Sequence, residues 1–215
     1  MTAELVLGPD ESVPGKPFVD PAHTRHDQEV MDRLLGNERE RARFLADDWR
    51  EGRKDVIIRE TDPDGLRHLL VVPDTRALLE ARNSTVVGFF GRPRSDADVS
   101  ILFDLEEELV AGMAAYAAGG LLSYYDLEFV KGAYGNLILF ATPDGPGAWR
   151  ENPVHHRAVD ISPDNYHEIR LHQGTLSGGL LEPGTLSLSR TRYLDYNGPE
   201  PWRAIRGVAY PGSEG

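Results

Sequence analysis

Two histidines, His155 and His172, are the best candidates in this sequence for residues that take part in chemistry. His155 follows Asn152 and Pro153, residue types that favour the cap and the first position of a helix. On that helix His155 falls on the apolar side, beside Ala158. An imidazole on an apolar face needs a partner for its ring nitrogens, which can be a side chain, a backbone carbonyl or a metal. His155 is therefore a candidate ligand, and a hydrogen-bonded core histidine is the alternative.

His172 lies on a predicted strand that has one polar face. Strand side chains alternate, so Glu168, Arg170 and His172 point to one side and Ile169 and Leu171 to the other. A carboxylate, a guanidinium and an imidazole in one row could supply a general acid or base and hold an anion. The alternative is a sheet face whose charges pair with one another.

The elements that must position these residues follow the order strand, helix, strand, strand, helix, strand from residue 84 onward. The pattern predicts strands at 85–90, 121–129, 136–140 and 166–176, and helices at 95–118 and 148–161. This is the order of a ferredoxin-like unit. Alternation of Leu and Arg with Ser and Thr predicts one more strand at 184–196.

The residues before this unit are expected to extend it. Four prolines in residues 1–26 indicate an extended arm, and helix-forming residues at 27–51 predict two helices with a break at Gly36-Asn37. Strands at 55–60 and 67–72 flank the turn signal Pro63-Asp-Gly65 and predict a hairpin, followed by a short helix at 75–81. We therefore expect an α+β protein with an arm (1–26), a helical and β-hairpin extension (27–83) and a main domain (84–215).

Composition narrows the function classes. The sequence has 23 Lys and Arg against 35 Asp and Glu, a net charge of −12, which argues against nucleic acid as a partner. The absence of cysteine excludes disulfides, thiolate catalysis and Cys-ligated metals. The first residues lack the basic and apolar segments of a secretory signal, and no apolar run is long enough to span a membrane. We expect a cytoplasmic protein that acts on a small-molecule substrate.

Four short runs resemble the dimeric α/β-barrel superfamily, which includes antibiotic-biosynthesis monooxygenases, chlorite dismutases and aldoxime dehydratases. They are Tyr134-Gly-Asn-Leu-Ile-Leu-Phe140, Trp149, Asn152-Pro-Val-His155 and Ile169-Arg-Leu-His172. The resemblance covers about residues 84–196. It implies that the ferredoxin-like βαββαβ unit forms a dimeric α/β barrel, in which a second copy buries the open face of the sheet, and hence a homodimer. The alternative is that the N-terminal hairpin and the strand at 184–196 cover that face.

The resemblance to aldoxime dehydratases implies haem b as a cofactor. Those enzymes ligate the iron through the histidine of a Pro-x-His segment that follows a tryptophan, and a later Leu-Arg-Leu strand leads to a distal histidine. By this resemblance His155 would be the axial metal ligand beside Trp149. Arg170 and His172 would lie on the substrate side, and Glu168 shares their row. The reaction would then be that of a haem-dependent oxidoreductase or lyase.

Two other hypotheses stay open. The resemblance to cofactor-free monooxygenases implies a cavity between helix and sheet, with Tyr124, Tyr125, Trp149 and Tyr166 as candidate lining residues. Such an enzyme would oxygenate, isomerise or cyclise a polyketide-like substrate. A non-catalytic binding or assembly protein is the alternative from a different class.

Overall fold

One β-sheet runs through the part of the chain that the structure, a computed structural model, describes: residues 4–52, 54–130 and 133–207. Its strands are β1 (Leu5–Leu7), β2 (Lys54–Thr61), β3 (Arg67–Asp74), β4 (Asn83–Pro93), β5 (Leu121–Val130), β6 (Ala133–Phe140), β7 (Tyr166–Ser177), β8 (Leu186–Asp195) and β9 (Trp202–Gly207). Their order is β1-β9-β8-β7-β4-β6-β5-β3-β2. Neighbouring strands are antiparallel except β1 and β9, which are parallel. The α+β class predicted from sequence is confirmed.

Helices cover both faces of this sheet. They are α1 (Pro21–Phe44), α2 (Ala46–Arg50), α3 (Thr75–Glu80), α4 (Val99–Tyr116), α5 (Gly145–Arg150), α6 (Pro153–Asp160) and α7 (Ser162–Asn165). Side chains of α1, α2 and α3 pack on one face, which we call the α1 face. Helices α4 to α7 lie over the other, the α4 face. Within the described ranges no helix is both long and apolar enough to cross a membrane.

The central strands appear in the predicted chain order and lie side by side as β7-β4-β6-β5. Helix α4 connects β4 to β5, and α5 to α7 connect β6 to β7. The hairpin of β2 and β3 is also confirmed, with Gly65 in its turn at a φ of 83°. The single helix predicted at 148–161 is wrong, because Asn152 is extended with a ψ of 127° before Pro153. Its side chain caps α6, as predicted, by accepting a hydrogen bond from the Val154 N–H.

The N-terminal part departs further from the prediction. Residues 1–26 are not an extended arm throughout, since β1 joins the sheet and α1 starts at Pro21, capped by the side chain of Asp20. No break occurs at Gly36-Asn37, and α1 continues to Phe44. A glycine inside a helix costs about 1 kcal/mol. The burial of the α1 side chains against the sheet offsets that cost.

Helix α1 covers the sheet face that was expected to meet a second copy. Met31 and Leu34 of α1 are fully buried among residues such as Val86 and Leu139 of the α1 face. The sulfur of Met31 lies against Gly88 of β4, in the space that a Cβ would take. The chain therefore buries this face itself.

Candidate functional site

A cavity of about 610 Å³ lies between the α4 face and helices α4 to α7. We call it the inner cavity, and its size is in the range that holds small organic ligands. Its floor includes Val87 of β4 and Ile169 of β7, and its roof includes Leu109 of α4 and Ala158 of α6. Seven aromatic side chains line it: Phe89, Tyr124, Tyr134, Phe140, Trp149, Tyr166 and Tyr196. Such a lining suits a largely apolar ring system.

Two carboxyl groups, which we call the acid pair, lie in the wall of this cavity. Glu106 of α4 and Asp126 of β5 both line the cavity, and each carboxyl group influences the pKa of the other. Burial raises the pKa of Asp126 well above its usual value, and the negative charge of Glu106 adds to this effect. Burial also raises the pKa of Glu106. Two carboxylates so close cannot both ionise easily, so the pair shares one proton.

The strand register places an amide beside the acid pair. Asn136 of β6 lies directly opposite Asp126 of β5. Its Oδ1 accepts a 2.9 Å hydrogen bond from the Phe89 N–H, which turns the amide nitrogen away from β4. Burial raises the pKa of both Asp126 and Tyr124, and the neighbouring Asn136 side chain offsets a small part of that effect. Asn136 is therefore a polar neighbour of the acid pair.

Tyr134 supplies an uncommitted hydroxyl next to the acid pair. Its oxygen is buried and makes no hydrogen bond within the described residues. Burial raises the pKa of this hydroxyl, with the charges of Glu128, Glu106 and Asp126 adding to the effect, so it stays protonated. A buried hydroxyl without a partner is a donor available to a ligand oxygen. A smaller cleft of about 180 Å³ near β2 and β3 reaches the same three residues, Glu106, Asp126 and Tyr134.

His155 also faces the inner cavity, as the helical spacing predicted. Its ring meets that of Trp149 edge-on, with ring centres 5.9 Å apart. Burial lowers the pKa of His155 to about 4, and the charges of His156 and Arg150 act in the same direction. The imidazole is therefore neutral near pH 7. His156, by contrast, is exposed.

The side chains of Arg170 and His172 are turned away from His155. Both side chains lie on the α1 face, where Asp27 of α1 binds them. The guanidinium of Arg170 donates to both oxygens of Asp27, at 2.5 and 2.9 Å. His172 is completely buried, and its ring nitrogens contact Asp27 Oδ2 and Thr191 Oγ1, each at 2.9 Å. Their hydrogen bonds are satisfied inside the protein.

Glu168 is paired as well. Both of its oxygens accept hydrogen bonds from the guanidinium of Arg92, at 2.7 and 2.8 Å. The alternation predicted for β7 is confirmed, because Ile169 and Leu171 line the inner cavity while the side chains of the polar row bind Arg92 and Asp27. His172 borders the cavity as well, but both of its ring nitrogens are engaged with Asp27 and Thr191. The row is not an open concave surface, because α1 covers Arg170 and His172. Of the four aromatic residues expected in a cavity, Tyr125 also points to the α1 face, where its hydroxyl contacts His68 Nδ1 at 3.1 Å.

The haem prediction needs an axial ligand and distal groups around one cavity. His155 fits the first requirement, since a neutral imidazole ligates iron well. Arg170 and His172 do not fit the second, because their side chains are engaged with Asp27 on the other face. Across the described ranges, no group of three His, Asp or Glu residues could hold a metal ion. We derive no step through haem, and its binding stays a prediction.

The acid pair was not foreseen from the sequence, although a signal existed. Glu106 lies in the apolar stripe of α4, four residues after Leu102 and three before Leu109. A charged residue on a buried stripe needs a partner or a shifted pKa. Its partner Asp126 lies 20 positions further along the chain, and only the packing of α4 over β5 brings them together.

Comparisons with known proteins add little to this geometry. Neither a protein-family model nor a curated protein matches the chain. A crystal structure of the NE2512 protein of unknown function from Nitrosomonas europaea is 10% identical, with a TM-score of 0.35. The alignment covers 56% of this chain and 95% of that one.

Proposed function

We propose that this protein is a cofactor-free small-molecule enzyme, an isomerase or cyclase that moves protons on a largely apolar, ring-containing substrate. The observation that carries the proposal is the placement of two carboxyl groups, Glu106 and Asp126, in the wall of an aromatic cavity, where burial raises the pKa of both. Perturbed carboxyl groups in a cavity are typical of catalytic acids and bases. The strand order β7-β4-β6-β5 with helices on one face supports the ferredoxin-like unit of the dimeric α/β-barrel superfamily.

The chemistry begins with proton abstraction. Glu106, the less buried member of the pair, takes a proton from a carbon next to a substrate carbonyl. The electron pair of that C–H bond moves to the carbonyl oxygen, which becomes an enolate. The protonated hydroxyl of Tyr134 donates a hydrogen bond to this oxyanion.

The proton then returns at another position. In an isomerisation the enolate takes a proton on a different carbon from the acid pair, so the product has the same composition as the substrate. In a cyclisation the enolate carbon attacks a second carbonyl of the same molecule, and Asp126 protonates the new alkoxide. Neither route changes the oxidation state of the substrate as a whole.

The first test is spectroscopic and needs no substrate. A protonated carboxyl group has an infrared C=O stretch distinct from that of a carboxylate. We expect this band near pH 7 in the Glu38→Gln variant, which lacks another buried carboxyl group with a raised pKa, and its loss or shift when Glu106→Gln or Asp126→Asn is added. Glu107→Gln is the matched control, because Glu107 is an exposed neighbour paired with Arg59.

The second test measures proton abstraction directly. 5-Nitrobenzisoxazole opens when a base removes its C–H proton and the N–O bond breaks, giving a coloured cyanophenolate. We expect ring opening that rises with pH as Glu106, whose pKa is raised by burial, loses its proton. Glu106→Gln should reduce the rate by at least about tenfold, at the low end of general-base effects. Equal rates in Glu106→Gln and Glu107→Gln would contradict the proposal and favour a binding protein.

A further inference from the structure

At the end of the inner cavity remote from the acid pair lies a group of arginines, Arg190 and Arg192 of β8 and Arg203 of β9. Strand register puts them on one face, because Leu194 lies opposite Arg203 and shares its side with Arg190 and Arg192. All three are exposed. We call this group the arginine mouth.

The charges of this mouth are incompletely matched. Arg192 Nε donates to Glu4 Oε1 at 2.8 Å, and Arg190 donates to the neutral side chain of Gln173. Arg203 makes no hydrogen bond or ion pair within the ranges that the structure describes. Among the residues that line the cavity, Glu4 is the acidic residue near these arginines. Three guanidinium groups therefore face one carboxylate. In a chain of net charge −12 this is a local positive region.

The acid pair and the arginine mouth lie apart along the cavity. Asp126 is on β5 and Arg192 on β8, and β6, β4 and β7 lie between them. Four strand spacings correspond to about 19 Å between the backbones. The aromatic and aliphatic lining fills the interval. The cavity therefore has a proton-sharing end, an apolar middle and a cationic end.

We propose that the ligand is an amphipathic anion, with an apolar ring system beside the acid pair and one carboxylate, sulfonate or phosphate at the arginine mouth. Guanidinium groups bind such groups through paired N–H donors, and Arg203 is available for this role. The inference rests on the proposed function for the orientation of the reacting end. The anion site itself is independent of any chemistry at the acid pair.

Two fluorescent probes test this site. 8-Anilinonaphthalene-1-sulfonate is an aromatic anion, and N-phenyl-1-naphthylamine is a neutral molecule of similar shape. We expect both to bind the unsubstituted protein and to displace each other, because they share the apolar middle. Added salt should weaken only the sulfonate, since its contact with the exposed arginines is screened.

Removing arginine charges then separates the electrostatic contribution to probe binding from the apolar contribution. The double substitution Arg190→Gln/Arg203→Gln leaves the Arg192–Glu4 pair intact, and we expect it to weaken the sulfonate at least tenfold. The neutral probe should stay within twofold. Arg33→Gln/Arg43→Gln, at two exposed arginines on α1, is the control for the overall change of charge.

Three results would overturn the anion site: no loss of sulfonate affinity, equal losses for both probes, or no binding of either probe to the unsubstituted protein. None of the binding measurements depends on turnover. A failed anion site with intact ring opening of 5-nitrobenzisoxazole would leave the proposed function standing. A confirmed anion site without ring opening would leave a binding protein for aromatic anions.

Discussion

Asp27 of helix α1 accepts a 2.9 Å hydrogen bond from Nε2 of His172 on strand β7. Because the acceptor is a carboxylate, Nε2 carries the proton and Nδ1 accepts from the hydroxyl of Thr191. Burial lowers the pKa of His172 despite the nearby carboxylate, so the ring is neutral. Burial alone would raise the pKa of Asp27, but the hydrogen bonds from Arg170 and His172 outweigh it and lower that pKa. This contact joins α1 to the sheet.

We predict that Asp27→Asn destabilises the fold by about 3–5 kcal/mol, because Arg170 loses its buried counter-charge. Urea unfolding at pH 7 measures the change. Glu29→Gln on the same helix is the control and should lie within about 0.5 kcal/mol of the unsubstituted protein. Since the pKa of Asp27 is lowered in the folded state, its contribution is present above pH 3.8 and is lost as the pH falls. Unchanged stability in Asp27→Asn would mean that the contact does not hold α1.

Glu38 of α1 predicts the opposite dependence on pH. It is completely buried, and neither of its oxygens has a hydrogen-bond partner in the described part of the chain. Burial raises its pKa from 4.5 to about 7, and nearby Ser123 and Arg39 offset only part of this effect. The folded protein keeps a proton that the unfolded chain releases, so stability falls as the pH rises from 4.5 to 7.

Glu38→Gln should remove this dependence. At pH 8 the variant should be more stable by about 3 kcal/mol, the equivalent of the pKa shift, and at pH 4 the two proteins should be similar. Urea unfolding at both pH values measures this. A variant that is destabilised at pH 8 would show that the Glu38 carboxylate has a partner.

Two glycines should respond to alanine with opposite signs. Gly36 lies inside α1 with no atom within 4 Å of an added Cβ, so Gly36→Ala should stabilise the protein by about 0.5–1 kcal/mol. At Gly174 of β7 an added Cβ would lie closer than 3.0 Å to the backbone oxygen of Ser187, which cannot move aside. Gly174→Ala should cost about 1–3 kcal/mol. Thermal unfolding compares them, and a stabilising Gly174→Ala would contradict the close packing of β7 on β8.

Haem binding can be tested at His155. If His155 is an axial ligand, adding haem should give a stoichiometric, sharpened Soret band that His155→Ala abolishes and His156→Ala keeps. We expect the Arg170→Ala variant to leave the band unchanged, because Arg170 lies on the α1 face. A Soret band that is identical in His155→Ala would exclude that ligand.

The oligomeric state follows from what covers the sheet. The homodimer was predicted because an open sheet face would otherwise be exposed, and α1 buries that face. We therefore expect light scattering at micromolar concentration to give the mass of one subunit. A mass of two subunits would require another surface, such as the exposed strand β2 at the edge of the sheet.

The sequence predicted the elements whose signals are local. Pro63-Asp-Gly65 marks a turn by its own conformational preferences, and the stripe of α4 follows from its spacing. It could not predict β1, which has three residues and pairs with a strand about 200 positions away. Nor could it predict that α1 is continuous, because Gly36 breaks helices on average and only burial against the sheet overrides that preference.

In the site, too, the features set by local geometry could be predicted and those set by packing could not. The inward direction of His155 follows from helix geometry, and the alternation of β7 follows from strand geometry. Helix α1 determines which face of β7 meets a cavity, because it covers the other face. The buried side of α1 carries the polar residues Thr24, Asp27 and Glu38. Polar residues on a buried side weaken the apolar pattern from which burial is predicted. The row at Glu168, Arg170 and His172 was therefore assigned to an open surface.

The pairing of β1 with β9 has a consequence for synthesis. Leu5 lies beside Ala204, and Arg206 of β9 reaches back to the carbonyl oxygens of Gly8 and Val19. During translation, β1 has no partner strand until β9 has left the ribosome. This edge of the sheet can thus form only after the strands between β1 and β9 have been made, and a ribosome stalled before residue 202 would hold a chain whose first strand is still unpaired.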